Sequence, residues 1–271
     1  MSTQADPDTL TSAVGDAPLR VAVEGPVAVV TLDDPRRRNP LSVATMRGLL
    51  GVLRALADRT DVHVIILRAQ GPAFSAGHDL SELTGRTLEE ERAVFALCSE
   101  LMLAVHAVPQ PVIASVQGTA VAAGCQLVAT CDLAVAAEGA VFGTPGVKIG
   151  LFCSTPMVAI SRAIGRKRAM QLLLTGETID AVTAADWGLI NTVVPAERLE
   201  AATAELAAAV ANASSQTLAI GKEAYYRQID LGEADAYAAM GETMATNAMT
   251  RDAQEGISAF LAKRPPTWTG R

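Results

Sequence analysis

The sequence predicts an α/β fold made of repeated strand–strand–helix units and completed by a helical C-terminal part. Three observations predict it. Apolar residues alternate over Leu19–Glu24 and Val27–Leu32 around Glu24-Gly25-Pro26, a strand–turn–strand signal. Two short apolar runs, 62–68 and 111–116, each empty into a loop of small residues. From Glu197 onward the pattern is helical almost throughout.

Taken in order, residues 1–18 are polar and acidic with no charged-then-apolar leader pattern, and are expected as a disordered tail. Residues 19–195 then form the core and 196–271 the helical region. After the irregular connection 33–40, Ser42 caps a helix with Met46, Leu49, Leu50, Leu53 and Leu56 on one face. Thr87 and Glu90 form a capping box before a helix that turns Val94, Leu97, Leu101 and Val105 inward. Short strands are expected near 132–135, 140–142 and 191–194, and helices near 156, 169–174 and 180–187. Pro156 suits the first position of its helix. Four helices follow, over 197–212, 215–231, 233–248 and 251–262.

With half of the 271 residues hydrophobic, the chain can bury a sizeable core. The formal charge of -7 and the lack of a long basic run argue against nucleic acid as a partner. No apolar run reaches the length of a membrane span. The four cysteines lack C-x-x-C spacing and read as reduced core thiols of a cytoplasmic protein without a metal site.

Two stretches carry chemistry. In Ser115 to Asp132 a buried strand runs into a helix whose first turn, from Ala122, holds no bulky side chain. Such a helix start leaves backbone N–H groups unpaired, and small residues let a ligand reach them. Tight packing of helix on strand would use the same residues. The second stretch, Gly71-Pro-Ala-Phe-Ser-Ala-Gly-His-Asp-Leu80, has the same construction.

Together, Ala73-Phe-Ser-Ala-Gly-His-Asp-Leu80 and Gly118-Thr-Ala-Val-Ala-Ala-Gly-Cys-Gln-Leu127 resemble the paired oxyanion loops of the crotonase (enoyl-CoA hydratase/isomerase) superfamily. The resemblance runs from about Arg20 to the C-terminus. It implies a spiral of ββα units with a C-terminal helical oligomerisation region, in a homo-trimer or a hexamer. It implies an acyl-CoA thioester as partner, with coenzyme A arriving as part of the substrate and no permanently bound cofactor. By motif position the oxyanion donors are the N–H groups of Ala76 and Ala123, and Arg38, Phe74, His78, Asp79, Leu80, Phe260 and Lys263 contact the substrate or its CoA. Asp79 fixes the first loop in this pattern.

The chain departs from the pattern at both acid–base positions. The resemblance puts the hydratase glutamates where this sequence has Gln126 and Gly146. A glutamine holds a water but does not take its proton at neutral pH, and a glycine offers only space. Each such group is worth ~10²–10⁴ in rate, so weak or altered activity on acyl-CoA thioesters is expected. The alternatives are a non-catalytic acyl-CoA-binding or regulatory protein, or thioester hydrolysis or decarboxylation, which need fewer acid–base groups. His78 is the one histidine near the expected site and is a candidate acid or base; Cys153 and Ser154 are candidate nucleophiles with no base beside them. Restoring both glutamates is expected to raise hydration by more than the two single changes together.

Overall fold

The computed structural model describes residues 7–270. Helix α1 (Pro7–Val14) precedes the antiparallel pair β1 (Leu19–Glu24) and β2 (Val27–Leu32). Helix α2 (Val43–Ala57) is capped by the Ser42 hydroxyl, which accepts from the Thr45 N–H. Three ββα units follow. They are β3 (Val64–Ala69), β4 (Ala73–Ser75) and α3 (Leu88–Ala107); β5 (Val112–Val116), β6 (Thr119–Val121) and α4 (Ala123–Thr130); and β7 (Leu133–Ala137), β8 (Val141–Gly143) and α5 (Pro156–Ala163). The Thr87–Glu90 capping box is formed at the start of α3. Then come α6 (Arg166–Thr175), β9 (Thr178–Asp180), α7 (Ala181–Trp187) and β10 (Thr192–Val194). Helices α8 (Leu199–Ala211), α9 (Ser215–Gln228), α10 (Glu233–Ala248) and α11 (Arg251–Leu261) end the chain.

Each unit contributes its first strand to one sheet, ordered β1-β2-β3-β5-β7-β10, and its second to another, ordered β4-β6-β8-β9. Neighbours in the first sheet are parallel except β1. Strand β3 is covered on both faces, which is why its sequence is a continuous apolar run rather than an alternating one. Ile65 and Leu67 join the main core with Leu49, Leu53 and Leu101, while Val64 and Ile66 pack with Ala207 of α8 on the other side. The strands β4, β6 and β9 have three residues each. That is too short for a period-two signal, and the sequence reads them as loop or helix approach.

The N-terminal expectation is corrected in part. Residues 1–6 lie outside the described residues, but 7–14 form a helix rather than a disordered tail. Leu10 is buried, and the helix lies close against α2 because two glycines there carry no side chain. A β-carbon on Gly51 would stand 2.8 Å from the Ala13 carbonyl oxygen, and one on Gly48 3.1 Å from that of Val14. Glycine spacing on the partner helix is a signal that composition of the tail does not contain.

Helix α9 is tied to the core by a buried ion pair. Lys222 Nζ lies 2.7 Å from Asp132 Oδ2 and donates to the carbonyls of Val105 and Gln110. The Tyr226 hydroxyl donates to Asp132 Oδ1 at 2.8 Å, and its ring stacks on His106 at 3.8 Å. Burial lowers the proton affinity of His106, so it serves as a neutral stacking partner and not as a cation at a helix end. Among the described residues no group of three or more His, Cys, Asp or Glu side chains could hold a metal. No described helix is long and apolar enough to cross a membrane.

Candidate active site

The two small-residue loops meet. The first leaves β4 at Ser75 and turns at Gly77, whose φ of 92° lies where a side chain is strained. The second leaves β6 at Val121 and enters α4 through Ala122, a non-glycine residue at φ 51°. The Ala122 N–H donates to the Gly143 carbonyl at 2.9 Å, which holds this conformation. A β-carbon on Gly77 would lie 3.2 Å from the Ala123 nitrogen and 2.9 Å from Ala122 Cβ. Glycine at 77 therefore lets the first loop close onto the start of α4. Gly124 does the same one residue on, where a β-carbon would stand 2.8 Å from Ser75 Cβ.

The expectation for Ala76 is corrected. The Ala76 N–H donates to the Arg38 carbonyl at 3.0 Å and has no hydrogen left to offer a ligand. Arg38 and Asn39 are both left-handed, at φ 62° and 51°, and this double turn aims the Arg38 carbonyl at Ala76. The N–H groups of Ala123, at the first position of α4, and of His78 have no acceptor among the described residues. They stand on the two sides of Gly77. Ala123 is fully buried, and His78 is half-buried.

Asn39 clamps the first loop. Its buried amide donates to the carbonyls of Gln70 (2.8 Å) and Ala73 (2.7 Å), and its oxygen accepts from the Asp34 N–H (2.8 Å). Sequence reasoning passed over it; its place in a Pro-flanked irregular connection was the available signal, since Asn tolerates left-handed backbone. Asp79 works from the other end. It caps the 3-10 turn Leu80–Leu83 by accepting from the Ser81 N–H and hydroxyl, and it pairs with Arg37. The Ser81 hydroxyl, with help from Arg37, holds its carboxyl below the usual carboxylate range. It is occupied as a loop fixer.

Other expected contacts divide. Phe74 is fully buried in the main core and is not a substrate contact in this conformation, because β4 turns it between the sheets. Leu80, Phe260 and Lys263 are exposed, and so is Arg38, which makes no ion pair among the described residues. Gln126 is buried, with its Oε1 3.8 Å from Cys98 Sγ. Burial pushes the Cys98 and Cys125 thiols up to about 12 and raises Cys153, so none of them supplies a thiolate. The Ser154 hydroxyl donates to the Phe152 carbonyl and has no base beside it.

Gly146 lies in the 3-10 turn Pro145–Ile149, and the space beside it is not open. The Leu151 carbonyl oxygen occupies the place of its β-carbon, with Cys153 Sγ 2.8 Å away. The residues that follow, Leu151 to Cys153, fold back over the position that the resemblance assigns to the second carboxylate. A groove of about 850 Å³ lies elsewhere, between the outer face of β1–β3 and α8, where Val29, Ile66 and Ala207 line it.

A family model described as enoyl-CoA hydratase/isomerase matches residues 22–271. The chain is 46% identical over 243 residues to the human enoyl-CoA hydratase domain-containing protein 3, mitochondrial, covering 89% of this chain and 80% of that protein. The rat protein of the same name is also 46% identical, over 241 residues. The crystal structure of the human protein superposes with a TM-score of 0.91 at 44% identity, over 93% of this chain and 100% of that one. An enoyl-CoA hydratase from Mycobacterium smegmatis does so with the same score and identity, over 93% and 99%. The ββα spiral with its C-terminal helices is thus the crotonase fold, and the chain belongs to the enoyl-CoA hydratase/isomerase family.

Proposed function

We propose that the protein binds an acyl-CoA thioester with the carbonyl oxygen held between the N–H groups of His78 and Ala123. The observation that carries this reading is that these two donors lack acceptors among the described residues, and that Gly77, next to His78 in the chain, packs against the Ala123 nitrogen. Charge that builds on a thioester oxygen is stabilised by donors fixed in advance, and losing one costs ~10²–10³ in rate. Hydration by two carboxylates is not what this site supports. Gln126 does not ionise, and the Gly146 position is filled by Leu151. Activity on enoyl-CoA is therefore weak or altered. The same filled position favours a second reading, a thioester reaction that needs the donors alone, such as hydrolysis or decarboxylation, or binding without turnover.

Coenzyme A enters as part of the substrate, with Arg38, Phe260 and Lys263 as its contacts. Phe260 stands 82% exposed near the end of α11, which suits a contact made across subunits of a trimer or hexamer. Four buried, unpaired cysteines suit a reducing compartment such as the cytoplasm. Calorimetry with butanoyl-CoA tests the reading: wild type binds, and Gly77→Ala, whose β-carbon crowds the Ala123 nitrogen, loses at least tenfold in affinity. Lys263→Ala weakens butanoyl-CoA while leaving a pantetheine thioester unaffected. No heat with CoA or any acyl-CoA rejects the proposal.

A further inference from the structure

Resting on that reading of the donor pair, we propose that the imidazole of His78 is the proton acceptor of this site, taking the α-proton of the bound thioester through Nε2. The residue whose N–H lacks an acceptor beside Ala123 also carries the imidazole. Nδ1 lies 3.3 Å from the Leu41 carbonyl oxygen, which accepts only, so the proton of the neutral ring belongs on Nδ1 and the lone pair on Nε2. Nε2 is buried and has no hydrogen-bond partner. An orphaned buried acceptor costs free energy that a ligand hydrogen can recover. The ring is held edge-on against Phe95 at 5.5 Å and 89°, which fixes its direction.

The neighbouring groups leave this role to His78. Gln126 and Gly146 carry no base, Asp79 is occupied by Ser81 and Arg37, and the thiols of Cys98, Cys125 and Cys153 stay protonated. The charged groups that face the ring are Glu82 of the Leu80–Leu83 turn and Glu91 of α3, and both draw its proton affinity upward. Burial outweighs them and lowers it, so the ring is a free base at neutral pH.

The step balances within the site. Nε2 forms a bond to the α-hydrogen, and the carbon–hydrogen pair becomes the C=C bond of an enolate. The carbonyl π pair moves to oxygen, where the His78 and Ala123 N–H groups receive the charge. Return of a proton from Nε2 to the α-carbon restores the thioester. Where the ring proton has exchanged with solvent, the returned hydrogen is a solvent one.

Deuterium uptake at the α-carbon of butanoyl-CoA in D₂O, followed by mass spectrometry, tests this with the full-length protein. Wild type should exchange, with a rate that holds through the usual histidine range and falls on acidification below it. His78→Gln should lose ~10²-fold or more of the exchange while binding butanoyl-CoA within about threefold of wild type. His78→Ala should regain part of the lost rate on addition of free imidazole, which a purely structural role would not allow. Equal exchange by wild type and His78→Gln overturns the proposal. So does wild type that binds the thioester without exchanging it, an outcome that leaves the donor-pair reading standing. Wild type that fails to bind rejects both.

Discussion

The carbonyl oxygen of Leu151 sits where a β-carbon on Gly146 would have to go. The position that the resemblance assigns to a second carboxylate is therefore closed by the chain's own backbone, and a glutamate introduced there meets a carbonyl rather than a cavity. Gly146→Ala should cost about 2–3 kcal/mol by overpacking, lowering Tm by about 5–10 °C. The Gln126→Glu, Gly146→Glu double variant should show no cooperative gain in hydration, contrary to the expectation from sequence. Brisk hydration of butenoyl-CoA by a stably folded double variant would show that the 151–153 segment yields.

Gln126→Glu alone tests the polarity of the pocket. The side chain is buried, and its one close partner is the Cys98 thiol. A carboxyl there is desolvated, so its folded pKa rises above the unfolded value near ~4.3. The protonated form is then favoured on folding. The variant's stability deficit should be small at about pH 4 and grow to about 2 kcal/mol as pH rises through the folded pKa. Denaturant titrations across pH read it directly; a deficit independent of pH would place the carboxyl in solvent.

Asn39 offers the cleanest separation of hydrogen bonding from backbone strain. Asn39→Ala removes one buried and two part-buried hydrogen bonds and leaves a left-handed alanine, for about 3–4 kcal/mol in all. Asn39→Gly loses the same bonds but relieves the strain, and should recover only about 1 kcal/mol. Both should weaken butanoyl-CoA, since the loop that carries His78 loses its clamp.

Acid should loosen the attachment of α9. His106 is stacked on Tyr226 and is held neutral by burial. Its folded proton affinity is depressed relative to an unfolded pKa of ~6.5. That contribution to stability is complete above the unfolded pKa and is lost as pH falls from there through the folded value. His106→Phe should flatten the stability profile as pH falls below about 6.5, while lowering the neutral plateau by about 1 kcal/mol through loss of the hydrogen bond to the Thr130 carbonyl, as measured by urea midpoints. An unchanged slope would assign the acid sensitivity to another group.

The faces of α10 and α11 predict assembly. No residue of α10 is buried, and Tyr237 and Met244 are 72% and 73% exposed. Such apolar exposure calls for a partner, and light scattering should give three or six copies. Truncation after Pro195 should aggregate, because it also removes α8 from Val64, Ile66 and Ile113. A monodisperse monomer of full-length protein would refute the assembly.

What local pattern controls was legible in the sequence by itself. Alternation placed β1 and β2, Ser42 and Thr87 announced α2 and α3, and the four C-terminal helices followed from apolar spacing. The two small-residue loops, and the uncharged residues at 126 and 146, were also readable. Tertiary structure decided the rest, because it depends on which backbone atom meets which across the fold. The Arg38 carbonyl takes the Ala76 N–H and leaves His78 as the donor without an acceptor. Leu151 fills the vacancy that glycine at 146 seemed to promise, and Gly48 and Gly51 admit α1 where composition suggested disorder. A residue's own chemistry is carried along the chain, whereas the availability of an N–H or of empty space is set by neighbours distant in sequence.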